Sequence, residues 1–164
     1  MSAFDIVSQF DRMLENLDAW LNAGAAFAQS KNFDAEILTK ERLAPDQYAL
    51  VQQVQSACDQ AKYVAAYLSG QKAPAHPDTE TTLAELHARI ATVRTYLKTF
   101  KAGDFTGAEE RRVAPPWMGG KSVRGETYLH RISIPNFYFH VTTAYDVLRH
   151  SGVPLSKLDY LGRF

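Results

Sequence analysis

One cysteine, Cys58, in 164 residues leaves no second thiol for an intramolecular disulfide, so the fold is not a disulfide-stapled scaffold. No run approaches the roughly 18 apolar residues that span a bilayer, which excludes a membrane-spanning helix. Net charge is absent too: 18 Lys plus Arg balance 18 Asp plus Glu, so no long-range field draws the chain to nucleic acid or anionic lipid. The opening residues MSAFDIVSQF lack both a basic and an apolar region, and the expected location is therefore cytoplasmic. Common catalytic signatures are missing as well. There is no phosphate-cradling glycine loop, no G-x-S-x-G elbow, no H-E-x-x-H and no C-x-x-C. The histidines, at 76, 87, 130, 140 and 150, include no pair at the three- or four-residue spacing of a helical metal site.

What is present is an ordinary globular balance, 46% apolar and 22% charged. The length suits one domain over residues 1–164, since a chain of this size buries roughly 70% of its unfolded surface in a single core. Four segments repeat their apolar residues every three or four positions, the period of an amphipathic helix. The first, about residues 4–29, carries Val7, Phe10, Leu14, Leu17 and Leu21. The second is expected to begin at Pro45, whose missing donor suits a first helical position. Its stripe is Val51, Val54, Cys58, Ala61, Ala65 and Leu68, and Gly70 stops it.

The third helix carries Leu83, Leu86, Ile90, Val93, Leu97 and Phe100, with Thr82 and Glu85 placed for a capping box. Residues 101–125 hold five glycines and two prolines, and Gly119-Gly120 predicts a hairpin inserted between the third and fourth helices. The fourth helix, residues 125–150, has Leu129, Ile132, Phe137, Val141, Ala144 and Leu148 as its stripe. Pro135 either kinks it or restarts it. Residues 34–42 predict a short helical link. The reading is all-α: a four-helix bundle with one core.

Few side chains suggest chemistry. Cys58 lies on a core stripe, where burial raises a thiol's pKa and favours packing over reactivity. His140 borders the fourth stripe, with Asn136 one turn before it and Thr143 on the same edge, and such a strip is where bundles converge side chains on a ligand or metal. The plainer reading of His140 is a core imidazole satisfied by one hydrogen bond. Gln52, Gln55, Asp59 and Lys62 form the polar side of the second helix, a pattern usually solvated. Asp59 reaches an internal site only if that helix is buried on two sides. Arg111, Arg112, Lys121 and Arg124, interleaved with Trp117, read as a solvated hairpin. Tyr138, Phe139 and Tyr145 leave the fourth helix apolar nearly all round, so it is either wrapped within the monomer or covered at a subunit contact.

The run Ile134-Pro135-Asn136-Phe137-Tyr138-Phe139-His140-Val141-Thr142-Thr143-Ala144-Tyr145, followed by Leu148-Arg149-His150 and Gly152-Val153-Pro154, resembles the domain-of-unknown-function family numbered 1993. Leu43 to Lys62 and Asp78 to Ile90 resemble that family's other segments. The family looks like a branch of the DinB-like (YfiT-like) superfamily. That resemblance implies a four-helix bundle with a crossover connection, commonly dimeric, whose better-known members are metal-dependent thiol transferases or isomerases using one histidine from the second helix and two from the fourth. Carried over by position, His140 matches the last histidine, Asn136 stands at the preceding ligand position, and Asp59 is the candidate on the second helix.

Three expectations follow. The first is a homodimeric bundle with a polar pocket between the second and fourth helices, lined by Gln55, Asp59, Asn136, His140 and Thr143, for an unidentified small molecule. The alternative is a metal-dependent enzyme in which Asp59, Asn136 and His140 hold a divalent ion such as zinc, nickel or manganese. The third is a purely structural or partner-binding dimer.

Overall fold

The computed structural model describes residues 1–162. Helix α1, Ala3–Lys31, opens with a capping box in which Ser2 and Asp5 satisfy each other's backbone donors, and it closes on Asn32 in the left-handed region at φ 57°. A 3-10 turn, Ala35–Lys40, supplies the predicted short link. Helix α2 runs Leu50–Ser69, beginning five residues after the expected start at Pro45. Pro45 lies instead in a turn where the Gln47 N–H donates to the Ala44 carbonyl (3.0 Å). The start at Leu50 is set by Gln52, whose Oε1 accepts the Ala49 N–H at 3.1 Å. Gly70, at φ 77°, ends α2 as expected.

Helix α3, Leu83–Leu97, carries the predicted Thr82/Glu85 capping box. The insertion forms a two-stranded antiparallel hairpin, β1 Arg112–Val113 with β2 Val123–Arg124, turning through Gly119 and Gly120. The chain then rises as one rod: α4 Gly125–Thr127, a π-helical segment Tyr128–Ser133, and α5 Ile134–His150. Pro135 neither breaks this rod nor leaves it regular. It has no N–H for the Arg131 carbonyl and its ring crowds that oxygen, and the widened turn before it accommodates both, with the Ile134 N–H reaching back five residues to Leu129. A last helix, α6 Lys157–Leu161, lies against α1, where the Trp20 indole donates to the Asp159 carbonyl (2.9 Å) and stacks on Tyr160.

Helices α1 and α2 pack together, with α3 and α5 each touching both. The apolar side chains of all four merge in one continuous core. At its centre the rings of Phe10 and Phe137 stack with centroids 3.8 Å apart, both fully buried. Each such ring stabilises the fold by about 1.5–3 kcal/mol. The aromatic residues of α5 sort as the sequence allowed: the Tyr138 hydroxyl accepts from Gln9 Nε2 (2.6 Å), Tyr145 packs on Trp20 and Tyr160, and Phe139 stays 53% exposed. No helix among the described residues is long and apolar enough to cross a membrane. Because α2 is flanked by three other helices, polar residues on it are drawn inside, and the candidate site follows from that.

Candidate functional site

Asp59 and Lys62 on α2 are not a solvated pair. The Lys62 side chain is 1% exposed, and its Nζ donates to Asp59 Oδ1 at 2.7 Å while sitting 4.7 Å from the Tyr63 ring centroid. Arg89 enters from α3 with its side chain 2% exposed. Its Nη2 meets Asp59 and Asp78, each at 2.8 Å, and its Nη1 meets Glu80 at 3.1 Å and the Pro77 carbonyl at 3.2 Å. One guanidinium thus ties the link between α2 and α3 down onto both helices, using the several donors that only arginine presents in one plane. Gln55 joins this network by donating to Glu80 at 3.0 Å.

Burial raises the Glu80 pKa, but hydrogen bonds from its own backbone, Gln55 and Arg89, with the Arg89 charge, outweigh it and hold the carboxyl below its ordinary value. His76, beside this network, is pushed the other way for a base: burial first, then the Lys62 and Arg89 charges, lower its pKa. The neighbouring Cys58 thiol is raised to about 12, chiefly by burial. Arg89 Nε and His76 Nδ1 are buried without a partner among the described residues.

His140 belongs to a different cluster. Its ring, 9% exposed, meets Gln53 Oε1 through Nδ1 at 2.8 Å. The Gln53 amide nitrogen donates to the Tyr48 carbonyl at 3.1 Å, which leaves Gln53 Oε1 as acceptor and places the imidazole proton on Nδ1. Nε2 therefore carries the lone pair, and no described residue meets it. Burial lowers the His140 pKa and so favours the neutral ring. Tyr48 lies nearly parallel to it, centroids 6.4 Å apart and planes 15° apart. Thr143 is buried and turns its hydroxyl back to the Phe139 carbonyl at 2.7 Å. Asn136 is half-buried on the first turn of α5.

Of the five residues expected to line one pocket, Gln55 and Asp59 join the network of Glu80 and Arg89, His140 meets Gln53 across the α2–α5 seam, Thr143 bonds within its own helix, and Asn136 makes no side-chain hydrogen bond among the described residues. Helix geometry explains why. Gln53, which does reach His140, precedes Asp59 by six residues, about 9 Å along the axis and about 240° around it. A divalent ion held jointly by Asp59, Asn136 and His140 does not fit this arrangement, because the Asp59 carboxylate is committed to Lys62 and Arg89. Among the described residues no group of three or more His, Cys, Asp or Glu is placed to hold a metal ion.

A cleft of about 350 Å³ on the outer side of α2 touches residues of both clusters and is lined by Tyr48, Val51, Gln52, Gln55, Ser56, Asp78 and Glu80. Tyr48 forms its lip, 52% exposed, and backs onto His140. Sequence reasoning found Gln55 but missed Tyr48, Gln53, Glu80 and Arg89. Arg89 had a signal: it stands three residues after Leu86 and beside Ile90, on the buried stripe of α3, where a charge requires partners.

The family described as Domain of unknown function (DUF1993) matches residues 4–161 of the chain. Among solved structures, the crystal structure of a DinB family member protein from Shewanella denitrificans is 48% identical and superposes with a TM-score of 0.94, covering 98% of this chain and 92% of that one. No curated protein matches.

Proposed function

The chain belongs to the DUF1993 family, with the bundle of a DinB-like protein, and from that footing we propose that it binds a small hydroxyl-rich molecule in the cleft on α2. The observation that carries this is the lining itself: an exposed aromatic face at Tyr48 beside planar acceptor and amide groups from Gln52, Gln55, Asp78 and Glu80. Arg89 neutralises much of the carboxylate charge from below, so the walls offer oxygen acceptors without a strong field. O–H donors satisfy such acceptors, and a ring with apolar C–H faces packs on tyrosine. The buried ion network fixes the floor before any ligand arrives, which lowers the cost of ordering it on binding.

The test is chemical-shift mapping on the labelled chain with a hexose, inositol and glycerol. Shifts confined to Tyr48, Gln55, Ser56 and Glu80, lost in Tyr48→Ala and Gln55→Ala, are the expected result. Absence of any response there to all three removes the reading.

A metal-dependent enzyme finds less support, since the Asp59 carboxylate is engaged by Lys62 and Arg89 while His140 is bonded to Gln53. Homodimerisation has one specific observation in its favour: Phe139, 53% exposed, and Tyr48, 52% exposed, flank His140 on one face. A dimer burying this face predicts twice the chain mass by light scattering and a monomer for Phe139→Lys. A monomeric wild type leaves that proposal without its motive.

A further inference from the structure

A second cavity lies at the opposite kind of surface, where the starts of two helices meet the insertion. It encloses about 280 Å³ between the first turn of α1, the end of α2, residues 102–110 and the start of the long rod, close to the smallest volumes that hold a ligand. Its walls are apolar: Phe4, Leu68, Phe105 and Leu129. Phe105 and Leu68 are buried, and Phe4 and Phe105 pack with centroids 6.1 Å apart. Leu129 comes from the π-helical segment, a backbone irregularity that recurs at ligand sites.

Two helix starts facing a cavity ordinarily attract an anion through free N–H groups. Here several of those donors are already engaged. At α1 the Asp5 N–H goes to Ser2 Oγ (3.2 Å) and the Ser2 N–H to Asp5 Oδ2 (2.8 Å). At α4 the Gly125 N–H goes to the Arg111 carbonyl (2.8 Å) and the Glu126 N–H to the Glu109 carbonyl (3.0 Å).

The charges at the rim have the other sign: Glu109, Glu110 and Glu126 line the opening. Against them stands the Arg124 guanidinium, which pairs with both Glu110 and Glu126, and His130 also lines the cavity. Among the described residues Glu109 has no ion-pair partner, so its carboxylate is free to meet a cation. We infer that this cavity binds an organic cation with an apolar body, a primary alkyl or aryl amine whose hydrocarbon enters between Phe4, Phe105 and Leu129 while its ammonium stays at the carboxylate rim. The site is independent of the cleft on α2 and stands or falls without it.

The experiment compares hexylamine, hexan-1-ol and hexanoate, equal in length and differing in charge, by chemical-shift titration of the full chain at neutral pH. Hexylamine is expected to shift the amides of Phe105, Gly107 and Leu129 and to bind at least five-fold more tightly than the alcohol, with hexanoate weakest. Glu109→Gln brings the amine to within two-fold of the alcohol and leaves the alcohol unchanged. Ala102→Trp, an exposed position at the mouth, abolishes all three. Equal binding of the three probes, shifts that map elsewhere, or an amine preference surviving Glu109→Gln would each overturn the assignment.

Discussion

Replacing Arg89 by methionine keeps the length of the side chain and removes its charge and its donors. In the native fold that charge faces Asp59 and Glu80, whose side chains are 19% and 14% exposed, and Asp78, 56% exposed. Removing one member of a buried ion pair costs about 3–5 kcal/mol, because the partner is left desolvated and unpaired. Lys62 still compensates Asp59, and Asp78 is wet enough to count for little, so the lower end, about 3 kcal/mol, applies. For a chain of this length each kcal/mol moves the midpoint by about 2–4 °C, which gives a fall of about 6–12 °C. Thermal unfolding followed by far-UV circular dichroism measures it, and the loss should persist in high salt, since buried pairs are poorly screened. A second arm adds Glu80→Gln: its cost should be smaller in the Arg89→Met background than alone, the mark of coupled partners. A fall of less than about 2 °C, or identical costs for Glu80→Gln in both backgrounds, refutes the reasoning.

The remaining expectations concern five other residues. His140 and His76 have folded pKa values below their ordinary one, so the unfolded chain takes up protons first as the pH falls past about 6.5. Stability therefore declines from that pH downward, and urea midpoints at pH 7.5 and 5.5 should differ less for His140→Gln than for wild type; parallel behaviour contradicts it. The acid loss from Glu80 lies lower, present above its unfolded pKa and lost as pH falls through its depressed folded value. Gly125→Ala places a Cβ 1.8 Å from the Ala108 carbonyl oxygen, and overpacking against rigid backbone costs about 1–3 kcal/mol, readable as a lowered urea midpoint. Cys58, buried and with its thiol raised to about 12, should resist alkylation in native protein and react only after denaturation; rapid native labelling contradicts its burial.

The four helices were legible because their apolar periodicity is long and uninterrupted, as in Phe10-Leu14-Leu17-Leu21, and because Thr82/Glu85 and Gly70 are strong local signals. The start of α2 was misplaced since a proline at 45 suits a tight turn as well as a first helical turn. The site was less legible. Periodicity says how far a residue lies from one stripe, but α2 is covered on three sides, so Lys62 and Gln55 are inside despite lying off the stripe. Which polar residue of α2 meets His140 depends on the rotation of α2 against α5. Gln53 and Asp59 differ by about two-thirds of a turn, and one sequence does not fix that rotation.

The wide turn ahead of Pro135 acts as a phase adjuster. One surplus residue there rotates everything downstream by about 100° relative to an unbroken helix. Leu129 and Phe137, eight residues apart, would diverge by about 80° on an unbroken helix, and the surplus residue brings them to within about 20°, so Leu129 shares one core with Phe137, Val141 and Leu148. Excising a single residue between 128 and 133 would restore ordinary winding and leave the phase on either side unchanged, with Phe137 still stacked on Phe10, so the irregularity absorbs one residue ahead of the proline while both halves of the rod keep facing one core.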